Sequence, residues 1–412
     1  MSCNRIGPNW GRGALVAALA AICLVSSAAR SLEAQSVDRQ APPDSTESRA
    51  RGRLFDAADP LQLTLTADFG AIAKQRGAEK KSQPGVLSYV AATGDSVTLD
   101  VQLHTRGHFR LNICQYPPLK VGFDKAKTAH TIFAHASSSL KLTVQCRGGT
   151  SNANYLLEEY LIYRAYNLLT DRSFRARLAR VTYADAKGKH QPETRYAFFV
   201  EDDGRMARRN KAEVLAQKGV TQNDVDLEHM GLVAVFQYMI GNTDWAVSAL
   251  HNIVLIRDST GVVYPVPYDF DWSGVIWPPY AQPDPSLGLR TVRQRSFRAA
   301  CRTPEELAAL FAVFNAQKEA IYALYRGRES EGLEPKRIAQ ALEYYDEFYK
   351  TINDPGATRR EFGRTCQGRR SSRAPVVPHL VRGREAEPFV ERSPLGGSVE
   401  HYAVDPVPAA PP

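Results

Sequence analysis

Past residue 25 the chain has no apolar run long enough to cross a membrane, and nowhere does it have a C-x-x-C pair or an internal repeat. The first absence excludes a spanning helix in the body of the protein. The second argues against a zinc site, since the cysteines stand singly. The third argues against a solenoid or propeller. A basic body is missing too. Of the formal charge of +8, the stretch 359–384 carries +7 and Arg5 and Arg12 carry two more, so the remainder is near −1. No nucleic-acid partner is expected from such a body, and a basic tail of this kind is most often only solvated.

What is present begins with a secretory signal over 1–34. Arg5 and Arg12 precede an apolar run at 14–25, and small residues follow, with cleavage near Ala29 or after Ala34. Ile22 is a poor residue before a lipidated Cys23, and the apolar run continues past it, so lipidation is rejected. The mature chain is therefore expected to be secreted, or periplasmic in the cell envelope, without an integral membrane segment. Export places Cys114, Cys146, Cys301 and Cys366 in an oxidising compartment. Cys114 and Cys146 fall on neighbouring predicted strands and are the preferred pair.

Residues 35–60, rich in Asp, Pro, Ser and Arg, read as a disordered leader. From Leu61 the text alternates. LQLTLTADF and SVTLDVQLHTRG read as strands joined by a polar Lys/Gly-rich loop, followed by the strands PPLKVGF and LKLTVQC. Leu156, Leu157, Tyr160, Leu161, Ala165 and Leu168 recur at helical spacing and predict a helix over 154–169. ARLARVTYADAKG and TRYAFFVEDD then read as a strand pair. Beyond 203 the pattern turns helical, in RRNKAEVLAQKG, LEHMGLVAVFQYMIGN, PEELAALFAVFNAQKEAIYALY and EPKRIAQALEYYDEFYKTIN. The stretch 366–412 is an Arg-, Pro- and Gly-rich tail without periodicity. This order is the plan of an α+β, two-lobed protein-kinase-like fold. Its N-lobe (61–203) is strand-rich with one long helix, and its C-lobe (204–365) is helical and carries the catalytic loops.

The chemistry concentrates in residues 242–273, NTDWAVSALHNIVLIRDSTGVVYPVPYDFDWS. Two β-branched runs joined by a Ser-Thr-Gly turn predict a hairpin, with Asp244 and Asn252 at its entry and Asp269 and Asp271 at its exit. Phosphoryl transfer asks for that set. Asp244 orients the attacking hydroxyl, while Asn252, Asp269 and Asp271 offer Mg²⁺ the oxygen ligands it prefers and hold it against the phosphates of a nucleotide. The bland alternative is that Asp and Asn merely favour turns. Cations for the phosphates are sought in Lys120 and Lys141, each flanked by apolar strand residues, with Glu158 or Glu159 of the long helix as their partner; solvated surface groups are the competing view. Arg106 sits in the turn Thr105-Arg-Gly-His108, which could cover phosphates although it lacks G-x-G-x-x-G. Glu201, ending the strand AFFVE, falls where a hinge would meet the nucleotide base. His251 is given an orienting role, since Asp244 is better placed to meet a hydroxyl.

These residues resemble the CotH kinase family of secreted or spore-coat-associated atypical protein kinases. The likeness lies in Asn242-Thr-Asp244 with His251-Asn252 beyond it, in Pro267-Tyr-Asp269-Phe-Asp271, and in the strand pair His104-Thr-Arg106-Gly and Pro117-Pro-Leu-Lys120-Val-Gly-Phe. It spans about residues 60–330. The resemblance implies a catalytic Asp244, a metal-ligating Asp269 with Asn252 as helper, the cofactors ATP and Mg²⁺, and a Ser or Thr acceptor on an extracytoplasmic protein. The segment His108-Phe-Arg-Leu-Asn-Ile-Cys114 replaces the Ser-rich stretch usual in the family. Two other readings compete: a catalytically inactive kinase-like module that binds the cell envelope, and an Asp-based hydrolase.

Overall fold

The computed structural model describes residues 54–76, 81–107, 109–134 and 138–363. The expected signal segment 1–34 and the tail 366–412, with Cys366, lie outside them. Leu54 and Phe55, at the end of the stretch read as a leader, are buried against the first core.

Seven strands close into a barrel: β1 (Leu61–Ala67), β2 (Gln83–Val90), β3 (Ser96–Thr105), β4 (Leu119–Phe123), β5 (Ser139–Val144), β6 (Ala176–Asp185) and β7 (Glu193–Val200). Their order is β1-β2-β3-β4-β5-β7-β6. Strand β1 meets β6 in parallel, with Leu63 opposite Val181, while its other neighbour pairs antiparallel. Alternation places Leu65, Leu103, Val121, Leu142, Val181 and Phe199 in one enclosed core. Short helices α1 (Phe69–Ala73), α2 (Phe109–Ile113) and α3 (Lys125–Thr128) sit in the barrel's connections.

The long helix α4 (Thr150–Leu169) lies on the barrel's outside. Phe198 and Val200, the out-facing residues of β7, join α4 in a second core, where Tyr163 meets the Phe198 ring at 5.5 Å. The helix is buried on almost every side, which is why its apolar residues do not form a single stripe. Helix α5 (Asp203–Arg209) leads to a second sheet of three strands, β8 (Ala212–Leu215), β9 (Ile253–Asp258) and β10 (Val263–Pro267), in the order β10-β9-β8. Between β8 and β9 runs α6 (Leu227–Ile240), begun by an Asp226 cap on the His229 N–H and stopped by Gly241 at φ 68°. A Cβ at Gly241 would collide with the Tyr344 hydroxyl, so glycine alone fits there. Helices α7 (Pro304–Arg326), α8 (Pro335–Asn353) and α9 (Pro355–Phe362) complete the second core. Thr303 and Glu306 form a reciprocal capping box at the start of α7.

The two-lobed protein-kinase-like fold expected from the element order is not what forms. The strands close on themselves into a mixed barrel, and the part expected to be a helical lobe contains a sheet of its own. The period-two signal identifies a strand facing a core but is blind to closure, which depends on β1 finding β6 across the intervening helix. Two local errors accompany this. The Lys/Gly-rich "loop" conceals β2, whose Pro84 and Gly85 read as breakers, although Leu87 and Tyr89 pair with Leu99 and Val97 of β3. RRNKAEVLAQKG, expected helical, yields β8, because Val214 pairs with Ile256 and tertiary pairing outweighs helix-forming composition. Among the described residues no helix is long and apolar enough to cross a membrane.

Candidate active site

The expected hairpin forms. Ile253 pairs with Pro267, and the ladder is continued by the Tyr268 N–H donating to the Asn252 carbonyl at 3.0 Å. Asn252 and Asp269 therefore stand at the two feet of one ribbon. Both lie in the left-handed region, at φ 52° and 61°. Asn and Asp enter that region at less cost than other side-chain-bearing residues, and such outliers cluster at functional sites. The loop that ends α6 returns through a bridge between Ala246 and His251, which brings Asp244 beside Asn252.

Both Asp244 carboxylate oxygens are held. His251 Nε2 donates to Oδ1 at 2.7 Å and Asn252 Nδ2 to Oδ2 at 2.9 Å. Since a carboxylate only accepts, His251 carries its hydrogen on Nε2. The side chain of Asp244 remains 34% exposed, open to a cleft of about 550 Å³. Lining that cleft are Asp244, Asn252, Asp269 and Asp271, together with Arg106, Arg110 and Lys141. The four oxygen-bearing residues singled out in the sequence all line this one cleft.

Behind them lies an acidic cluster. Glu159, Asp269 and Asp271 each present a carboxylate oxygen, all within 4.8 Å of one another. The Arg110 guanidinium bonds all three: Glu159 at 3.1 Å, Asp271 at 3.4 Å, and Asp269 in the closest contact. The Tyr280 hydroxyl donates to Asp271 at 3.2 Å, and the Asp269 N–H donates to the Tyr163 hydroxyl at 2.9 Å. Glu159 and Asp271 are buried, while Asp269 is only half-buried. Burial pushes Asp271 up to about 8 against the pull of Arg110, with Asp269 and Glu159 adding to the rise. Glu159 is raised for the same first reason, again against Arg110. For Asp269, burial is outweighed by Arg110, Arg106 and Lys141, and its carboxyl is held low. Glu159 Oε1 is buried without any hydrogen-bond partner. Three carboxylates converging on one point, one with an orphaned oxygen, fit a hard divalent cation such as Mg²⁺. Asn252, whose Nδ2 is spent on Asp244, has Oδ1 left to offer.

The other candidates divide. Lys141 lines the cleft, where it bonds Asp203 at 2.7 Å and lies over the Tyr268 ring at 4.8 Å. Arg106 lines it too. Lys120, directly opposite Lys141 in the β4–β5 register, is exposed and does not line the cleft. Neither glutamate of α4 pairs with a strand lysine: Glu159 takes Arg110 and Glu158 takes Arg337. Glu201 is no hinge contact. It is fully buried, bonded by Arg209 at 2.8 Å and by the Arg175 N–H at 3.2 Å, and it does not line the cleft. Arg110 is the residue that sequence reasoning missed. It belongs to the stretch that departs from the CotH pattern, and its only signal was its place one helical turn before Cys114.

Cys114 and Cys146 form the expected disulfide, which ties α2 to the end of β5. Cys301 is disulfide-bonded as well. Fold and cleft together define a mixed α+β protein built on a closed barrel, with an oxygen-rich acidic site where a β-ribbon meets the barrel wall. No protein-family model matches the chain, and no curated protein sequence matches it.

Proposed function

We propose that this chain is an exported, Mg²⁺-dependent, ATP-using phosphotransferase of the CotH-like kind, acting on Ser or Thr hydroxyls of an extracytoplasmic protein. The observation that carries it is a single cleft holding an oriented carboxylate, Asp244, together with Asp269 and Asp271 of the cation-binding set and the basic residues Arg106 and Lys141. Function here is argued from the site and not from a kinase fold, since one chemistry recurs on unrelated scaffolds.

In this mechanism Asp244 accepts the proton of the acceptor hydroxyl as its oxygen bonds to phosphorus. His251 and Asn252 fix the angle of that carboxylate by occupying one oxygen each. Arg106 and Lys141 face the phosphate charge, and the bridging P–O bond breaks to release the nucleoside diphosphate. Glu159, Asp269 and Asp271 would hold Mg²⁺, which neutralises phosphate charge when bound. An oxidising compartment suits the Cys114–Cys146 disulfide. The test is transfer of labelled phosphate from Mg²⁺-ATP to protein acceptors. Transfer that Asp244→Asn leaves unchanged would refute the assignment.

One observation favours a second reading, an inactive envelope-binding module. Arg110 already fills the acidic cluster, as a purely structural ion-pair network would require. Saturating Mg²⁺-ATP that leaves the melting temperature of the folded chain unmoved selects this second reading.

A further inference from the structure

The acidic cluster has two faces, and Arg110 stands between them. On one side is the open cleft, lined by Asp269 and Asp271. On the other is a cavity of about 10 Å³, the scale of a single water molecule or ion, lined by Glu159 and Tyr280. Arg110 lines both spaces, and Glu159 lines only the inner one. Arg110 is the residue that the two spaces share.

The oxygens that Arg110 bonds belong to the same carboxylates that converge within 4.8 Å. A guanidinium at the centre of that set and a metal ion at its centre are mutually exclusive. Exchange is favoured because Arg110 leaves one oxygen of Glu159 buried and unpartnered, an oxygen that a second cation could take. The backbone beneath Arg110 is fixed. Cys114 is bonded to Cys146, Arg76 donates to the carbonyls of Leu111 and Cys114, and Arg147 Nε donates to that of Ile113 at 3.0 Å. Any movement therefore falls to the side chain, whose length lets it turn without disturbing α2.

We infer that Arg110 is a displaceable internal cation: it holds the seat of a divalent ion, and on ion entry its guanidinium turns into the cleft beside Arg106 and Lys141, there to bind an anionic phosphate group. This rests on the cation site of the proposed function but not on catalysis. The displacement also reconciles a fully paired arginine with a site built for a metal, since the two describe its two occupied states.

The experiment follows Mn²⁺ binding to the full oxidised chain by the loss of its free electron-spin signal, for wild type, Arg110→Gln and Glu159→Gln. Removing the competitor should tighten Mn²⁺ binding about tenfold or more in Arg110→Gln, and Glu159→Gln should abolish it. Folding of each variant is checked by its cooperative melt. Should Arg110→Gln fail to fold, the wild type answers alone: phenylglyoxal labelling, read by peptide mass, should rise several-fold at Arg110 when Mn²⁺ is added. A folded Arg110→Gln that binds Mn²⁺ no better than wild type, or labelling at Arg110 that Mn²⁺ leaves unchanged, overturns the inference. A chain that binds Mn²⁺ and labels as expected, yet transfers no phosphate, refutes the catalytic reading and leaves this one standing.

Discussion

Asn252 Nδ2 donates to the main-chain oxygen of Asp244 at 2.7 Å and to its carboxylate Oδ2 at 2.9 Å. One amide thus fixes both the backbone and the side chain of the residue assigned to meet the acceptor hydroxyl. Asp244→Asn should lower phosphate transfer by about 10²-fold or more, the usual weight of a general base. Its melting temperature should stay close to that of the wild type, because the carboxylate is partly open to solvent.

The backbone of Asn252 makes a separate prediction. At φ 52° a β-carbon is disfavoured unless the side chain bonds locally, as this one does. Asn252→Ala should be less stable than Asn252→Gly by about 1 kcal/mol, although both lose the bond to Asp244. Comparing the two variants in urea unfolding separates backbone strain from the hydrogen bond. An equal loss in both denies the strain.

Divalent cations should stabilise the fold through the acidic cluster. A cation at a hundred times its dissociation constant contributes about 2.7 kcal/mol, visible as a rise in melting temperature with Mg²⁺ or Mn²⁺. In Asp269→Asn that rise should vanish. A rise that persists in Asp269→Asn places the cation elsewhere.

How much of this was legible in the sequence differs from residue to residue. The ribbon carrying Asn252 and Asp269 was readable because both strands are β-branched and the turn between them is polar, a purely local signal. The disulfide was readable for a similar reason, since Cys114 and Cys146 flank recognisable strands. Arg110 was not. Its partners lie 49 and 159 residues away, and its place one turn before Cys114 does not name them. Glu201 failed in the opposite direction: a strand-end position suggested a ligand contact, and the pairing with Arg209 appears only once α5 packs back. Barrel closure was likewise invisible, because alternation says that a strand has a buried face and not which strand completes the ring.

Acid should destabilise the second sheet through His229. Its Nε2 meets the Pro265 carbonyl at 3.0 Å, which ties α6 to β10 and requires the hydrogen on that nitrogen. Burial, with Arg172 nearby, pushes the ring down from 6.5 to about 4. The unfolded chain therefore takes up a proton before the folded one does. The contribution is complete above about pH 6.5 and is lost as pH falls through 4, to a total of about 3 kcal/mol. Urea unfolding between pH 7 and 4 should show this slope in the wild type and a flatter one in His229→Gln. Parallel slopes would contradict the assignment.

Reduction of the Cys114–Cys146 disulfide should loosen both the barrel and the cluster. The bond closes a loop with a sequence separation of 32, for which chain entropy gives about 4 kcal/mol. Cys114→Ser/Cys146→Ser should be less stable by about that much in urea unfolding. Stability equal to the oxidised parent would show that the surrounding hydrogen bonds suffice.

The register of Leu61 opposite Ala179 has a consequence for how the molecule is made. When β1 emerges during synthesis, its closing partner has not yet been built, and the whole of α4 must arrive before the ring can shut. Until then the nascent protein presents a row of unpaired peptide groups along β1, the kind of edge that recruits foreign strands. Pairings this distant in sequence are slow to form. The interval before β6 is complete is thus when this protein is most exposed to aggregation and most in need of a chaperone's cover.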